Sequence, residues 1–192
     1  GDMIESEDAY QHHIDNVLNL ACIDIDTIKA KNFKVVVDTV NGAAYKALPE
    51  LLEKLNCDIV KIHCDNDGTF PRGTEPIPSH LEDLSKAVTE NNADIGFATD
   101  PDADRLAIVD NHGNPIGEES TLVIALESYL KYYQDSQKVV TNLSTSMAVD
   151  VIAHKYNSTV QRSSVGEINV VEKMKELNSS IGGEGNGGVI LE

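Results

Sequence analysis

The chain has no tryptophan, and phenylalanine and tyrosine together bring the aromatic share to only 5%. Platforms on which nucleobases stack need such rings, so a single-strand binding surface is not expected. Basic residues are also scarce: 15 lysines and arginines face 32 acids, for a formal net charge of −17 over 192 residues. Nucleic acid and anionic membranes are therefore excluded as main partners. A phosphorylated small molecule is not, because one metal ion and one or two bases can override the global field locally. No apolar run approaches the ~20 residues that span a bilayer. The opening residues carry no signal-peptide pattern, so a cytoplasmic location is expected. The three cysteines, Cys22, Cys57 and Cys64, are odd in number and lack metal-type spacing, and they read as isolated reduced thiols. The six histidines form no HExxH or similar pattern, and His12-His13 is expected on an exposed helix face.

Hydrophobic residues, at 41%, suffice for real cores. Residues 5–21 place Ile14, Val17, Leu18 and Ala21 at helical spacing. Lys34–Asp38 is a β-branched run suited to a strand buried on both faces. A helical stripe follows (Ala44, Leu48, Leu51, Leu52, Leu55), where Pro49 predicts a kink or a late start, and then a strand over 58–62. Residues 65–78 are rich in glycine and proline and read as a long ordered loop. Ser79 with Glu82 predicts a capping box for a helix through Leu81, Leu84 and Val88. Strands are expected at 95–98 and 106–109. The pattern then repeats: Lys138–Asn142 echoes Lys34–Asp38, and helix, strand, helix, strand, turn and strand follow in the same order. The expected fold class is α/β, as two tandem three-layer α/β/α domains, 1–116 and 117–192, each with a four-stranded mixed sheet. Mixing follows from the tight turn between the third and fourth strands, which makes that pair antiparallel. Asn114–Ser120 reads as a hinge. Because the chain stops directly after a strand, it is expected to be a piece of a longer polypeptide, its second domain truncated.

The turn of the first unit reads Thr99-Asp100-Pro101-Asp102-Ala103-Asp104-Arg105. Three carboxylates at i, i+2 and i+4 repel one another, so a cation is expected to hold them. Arg105 adds a donor fork suited to phosphate. A solvated aspartate-rich turn is the plain alternative. An EF-hand would need glycine and glutamate where Arg105 and Asn111 stand. A phosphatase using Asp100 as nucleophile stays open, as does a non-catalytic, metal-dependent sugar-phosphate binding module.

The second turn is Gly182-Gly183-Glu184-Gly185-Asn186-Gly187-Gly188. Gly183, Gly185 and Gly188 fit GxGxxG, but that motif must open a helix and Val189–Leu191 reads as a strand, so no dinucleotide site is expected. A glycine-rich hairpin is one reading. The other is that Glu184, standing where the acidic turn stands in the first unit, accepts sugar hydroxyls. Ser163-Ser164-Val165-Gly166-Glu167 predicts a helix cap, with backbone N–H groups able to receive phosphate. Ser144-Thr145-Ser146 reads as a further cap. No serine–histidine or cysteine–histidine nucleophile pair is visible.

The acidic turn after Ala93–Ala98 closely resembles the metal-binding loop of the α-D-phosphohexomutases. The repeated units resemble the second and third of that family's four domains. Lys34–Gly42, Val165-Gly166 and Gly183-Glu184 fall in the family's order. The resemblance implies isomerisation of hexose phosphates between the 1- and 6-positions, through a phosphoserine and a bisphosphorylated sugar. It implies Mg²⁺ on Asp100, Asp102 and Asp104, and Arg105 beside the transferring phosphoryl group. It also implies substrate contacts from Glu184, Asn186, Gly166 and Glu167. The phosphoserine nucleophile, in a Ser-His-Asn-Pro type loop, is absent from these 192 residues, as is the C-terminal phosphate-grasping domain. Domains I and IV of the same polypeptide are thus the expected partners, with a hexose phosphate as substrate, and the isolated chain is expected to be inactive and to bind Mg²⁺ weakly. Glu167 stands where many members have histidine. The sugar loop departs from Gly-Glu-x-Ser-Gly-His. That combination resembles a phosphoglucosamine-mutase-like branch, which also includes phosphoglucomutases and phosphomannomutases, so glucose, mannose and glucosamine phosphates all stay open as the substrate.

Overall fold

The computed structural model describes residues 9–191. Its order is α1 (Ala9–Leu18), α2 (Ile25–Lys31), β1 (Lys34–Asp38), α3 (Ala47–Lys54), β2 (Asp58–Ile62), α4 (Glu82–Glu90), β3 (Ile95–Thr99) and β4 (Leu106–Asp110). There follow α5 (Glu119–Tyr133), β5 (Lys138–Asn142), α6 (Ala148–Lys155), β6 (Thr159–Ser163), α7 (Glu167–Leu177), β7 (Ile181–Gly183) and β8 (Val189–Leu191). The first sheet runs β2-β1-β3-β4 and the second β6-β5-β7-β8. In each, the first three strands are parallel and the last is antiparallel. Two four-stranded mixed sheets with flanking helices are therefore present, as the repeat predicted.

The strand period of two explains the layers. Val36 packs with Leu84 and Val88 of α4, while its neighbours Val35 and Val37 pack with Leu52 of α3 on the opposite face. The second unit repeats this: Val139 meets Leu122, Leu126 and Val149 of α5 and α6, and Val140 meets Val170 and Met174 of α7. Central strands enclosed on both sides need unbroken apolar runs, which is why the two Lys-Val-Val segments stand out in the sequence. The central strand of each sheet thereby delivers its last residue, Asp38 or Asn142, buried at the strand's carboxyl end beside the functional turns.

Several local expectations change. The first helix ends at Leu18, leaving Ala21 in an exposed turn, and residues 5–8 of the predicted span lie outside those described. A separate helix α2 follows, capped by Asp24, whose side chain accepts from the Thr27 N–H. No capping box forms at Ser79: Pro78–His80 is a 3₁₀ turn, and Leu81, drawn into the core at 1% exposure, occupies the N-cap of α4. Burying a leucine is worth about 2 kcal/mol, more than a typical cap contributes. Pro49 lies in the first turn of α3, the late start its ring predicts. The start of the predicted hinge is pinned, because Pro115 pairs with Val109 and the Ile116 N–H donates to Ile108 O. Cys22, Cys57 and Cys64 carry free thiols. Among the described residues no helix is long and apolar enough to cross a membrane.

Candidate metal and sugar-phosphate site

The β3–β4 turn brings Asp100, Asp102 and Asp104 together, with one carboxylate oxygen of each within 4.8 Å of the others. Asp100 is buried, whereas Asp102 and Asp104 are exposed. The turn is held at each step. The Asp100 Oδ1 atom accepts from the Arg105 N–H at 3.1 Å, and Pro101 O accepts from the Ala43 N–H at 2.7 Å. Thr99 O accepts from Arg72 Nη2 at 2.6 Å. Gly42 lies so close to the turn that a Cβ there would stand 2.5 Å from Pro101 O, which explains the glycine.

Arg72 is itself fixed by a buried ion pair, Nε to Asp38 Oδ2 at 2.8 Å, with the two side chains 3% and 0% exposed. His63 Nδ1 lies 3.0 Å from the same oxygen, and Asp38 Oδ1 accepts from the Val40 N–H. The end of β1 therefore anchors the entrance of the acidic turn through one guanidinium.

Burial pushes the Asp100 carboxyl up to about 6, helped by a hydrogen bond shared with Asp104 and by the charges of Asp104 and Asp102, against the lowering effect of the Arg105 N–H. Three hard oxygen donors of like charge fit a small divalent cation. Around Mg²⁺, oxygens at about 2.1 Å stand roughly 3–4 Å apart, so small adjustments of the exposed Asp102 and Asp104 side chains close the site. A cation must displace the proton of Asp100. Divalent-cation affinity is therefore expected to fall as pH drops through about 6 and to level off above about 7, which titration calorimetry at pH 5, 6 and 7.5 would read. Without cation the sign for stability is opposite. The folded chain holds this proton more tightly than the unfolded chain, so the contribution of Asp100 declines as pH rises from about 4 to 6.

In the second unit, Glu184 is oriented by two donors. Its Oε1 accepts from Asn142 Nδ2 and from the Gly166 N–H at 2.9 Å. Asn142 Oδ1 in turn accepts from the Ser144 N–H and from the hydroxyls of Ser144 and Thr145, while the Gly185 N–H donates to Thr145 Oγ1 at 3.0 Å. The Ser144–Ser146 segment therefore clamps the Glu184 turn, and Ser146 Oγ accepts from the Ala148 N–H at the start of α6. Ser163 and Ser164 do not cap α7: its N-cap is Gly166, whose N–H goes to Glu184 rather than standing open to a phosphate. Asn186 shapes the turn, with Oδ1 accepting from the Gly188 N–H and Nδ2 3.4 Å from Glu184 Oε2. Glu167 is exposed at the start of α7.

The two turns meet. One cleft is lined by Asp104 and Arg105 from the first unit and by Glu167, Glu184, Asn186 and Gly188 from the second. The backbone of Leu106, next to Arg105, is tied twice to the second unit: its N–H donates to Gly187 O at 3.2 Å and its carbonyl accepts from Thr121 Oγ1 at 2.6 Å. Gly187, at φ +99°, leaves no room for a Cβ, which would stand 2.7 Å from Leu106 O. Sequence reasoning missed Arg72, Asn142, Thr145 and Glu75, the last of which pairs with Arg105 Nη1.

A family profile described as phosphoglucomutase/phosphomannomutase, alpha/beta/alpha domain II, matches residues 8–113, and its domain III counterpart matches 117–192. A phosphoglucomutase/phosphomannomutase of Thermococcus kodakarensis is 36% identical over 189 residues, covering 98% of this chain and 41% of the relative. A phosphoglucosamine mutase of Caldicellulosiruptor bescii is 35% identical over 183 residues, covering 95% and 39%. The crystal structure of a phosphoglucomutase/phosphomannomutase family protein from Burkholderia thailandensis superposes with a TM-score of 0.82 at 26% identity, covering 98% of this chain and 40% of that one. The chain thus spans about 40% of the length of the curated relatives it matches. It belongs to the phosphoglucomutase/phosphomannomutase family, of which it comprises domains II and III.

Proposed function

We propose that this chain is the metal- and sugar-binding centre of a phosphohexomutase, which moves a phosphoryl group between the 1- and 6-positions of a hexose phosphate through a phosphoserine and a bisphosphorylated intermediate. The observation that carries the reading is that Asp104, a member of the aspartate cluster, and Arg105 line one cleft together with Glu184. Asp100, Asp102 and Asp104 would hold Mg²⁺, which when bound neutralises charge on a transferring phosphoryl group. Arg105 places its guanidinium beside that group. Glu184, fixed by Asn142 and Gly166, accepts hydrogen bonds from sugar hydroxyls, and a carboxylate can do so with the ring in either orientation. Glu167 and Asn186 line the same cleft as further substrate contacts, while Gly166 acts through Glu184. Domain boundaries near residues 116 and 117 put the aspartates in one domain and Glu184 in the other, so the cleft is an interdomain site. The phosphoserine comes from domain I and the remaining phosphate grip from domain IV of the same cytoplasmic polypeptide, and the isolated chain is inactive.

The test is the complete polypeptide, assayed by ³¹P NMR with glucose, mannose and glucosamine 6-phosphates. The expected result is Mg²⁺-dependent appearance of the 1-phosphate, lost with EDTA. Absence of interconversion for all three sugars, with the protein folded and phosphorylated, would refute the proposal. A phosphatase using Asp100 as nucleophile has less support, because Asp100 Oδ1 is engaged by the Arg105 N–H and burial resists its ionisation. Trapping phosphate on Asp100 would reverse that judgement.

A further inference from the structure

Arg105 stands among three carboxylates, and they hold it unequally. Its Nη1 is hydrogen-bonded to Glu75. Its Nε lies 3.7 Å from Asp100 Oδ2 and 3.6 Å from Asp104 Oδ1, too far for a hydrogen bond, and is buried without a partner among the described residues. A guanidinium this close to two carboxylates is expected to close on them, since charge-assisted bonds are the stronger ones. The partner that prevents it comes from the 65–78 loop. That loop is not free to follow. Asn41 Nδ2 donates to Asp67 and Thr69, Arg72 is locked to Asp38, and a His80 ring nitrogen lies 2.8 Å from Glu75 O.

We infer that Glu75 is a positioning residue that draws the Arg105 guanidinium off Asp100 and Asp104 and so keeps their oxygens open to a divalent cation. The inference rests on the metal site proposed above. An exposed ion pair of this kind adds little to stability, and Glu75 is half exposed. Its value lies in where it holds the positive charge. Released from Glu75, Arg105 settles onto the two aspartates, occupies their lone pairs and repels an incoming cation.

The experiment uses Mn²⁺ as the probe and the 192-residue chain, with binding read by electron paramagnetic resonance. Glu75→Gln is expected to weaken Mn²⁺ binding about three- to tenfold with an unchanged melting temperature. In an Arg105→Met background the same substitution is expected to change nothing, because no guanidinium remains to be misplaced. Two outcomes overturn the inference: equal affinity of Glu75→Gln and wild type, or the same weakening with and without Arg105, which would make Glu75 a mere contributor of negative field. A wild-type chain that binds no Mn²⁺ would be a different failure, sinking the metal site and this inference with it.

Discussion

Asp102→Asn in the complete polypeptide is expected to slow interconversion of hexose 1- and 6-phosphates by at least about 100-fold. Loss of a residue that only orients a metal ligand commonly costs 10–100-fold, so removing a ligand should cost no less. The loss should fall on kcat, since the charge it serves develops in the transition state. Folding should not suffer. Asp102 is exposed, and removing its charge relieves repulsion with Asp100 and Asp104, so the cation-free melting temperature should hold or rise. The variant thus separates stability from activity. Wild-type turnover in Asp102→Asn would remove this residue from the proposed mechanism.

Arg72→Met is the larger test of the scaffold. Breaking a buried ion pair by deleting one partner costs about 3–5 kcal/mol, because the other charge is left uncompensated. Asp38 is fully buried, and Arg72 also holds Thr99 O at the entrance of the acidic turn. Urea denaturation should therefore show that loss. Asp38→Asn combined with Arg72→Met should recover part of it, since no buried charge remains. A change below about 1 kcal/mol would mean that His63 alone satisfies Asp38.

These two residues mark the boundary of what the sequence reveals. Asp102 was legible because its partners lie two positions away on either side, and like charges at that spacing in a turn demand an explanation. Arg72 was not, because its partners, Asp38 and Thr99, lie 34 and 27 positions away. Glu75 and Asn142 were hidden for the same reason: Glu75 meets Arg105 across 30 positions, and Asn142 meets Glu184 across 42. The sheets could be read because periodicity is a local property that burial on two faces makes conspicuous in Val35–Val37 and Val139-Val140. The helix starts were misread where tertiary packing outweighed local capping. Leu81 entered the core and displaced the Ser79 cap, and the Gly166 N–H went to Glu184. The repeat itself carried the rest, since the position of the acidic turn in one unit pointed to Glu184 in the other.

All of this turns on a cation bridging the aspartate cluster. The most direct measurement is the anomalous difference map of a crystal of this chain soaked in Mn²⁺ above pH 7, where Asp100 is ionised. One peak is expected, about 2.2 Å from an oxygen of each of Asp100, Asp102 and Asp104. A map with Mn²⁺ bound elsewhere, and none between those three side chains at a concentration that saturates binding in solution, would contradict the account.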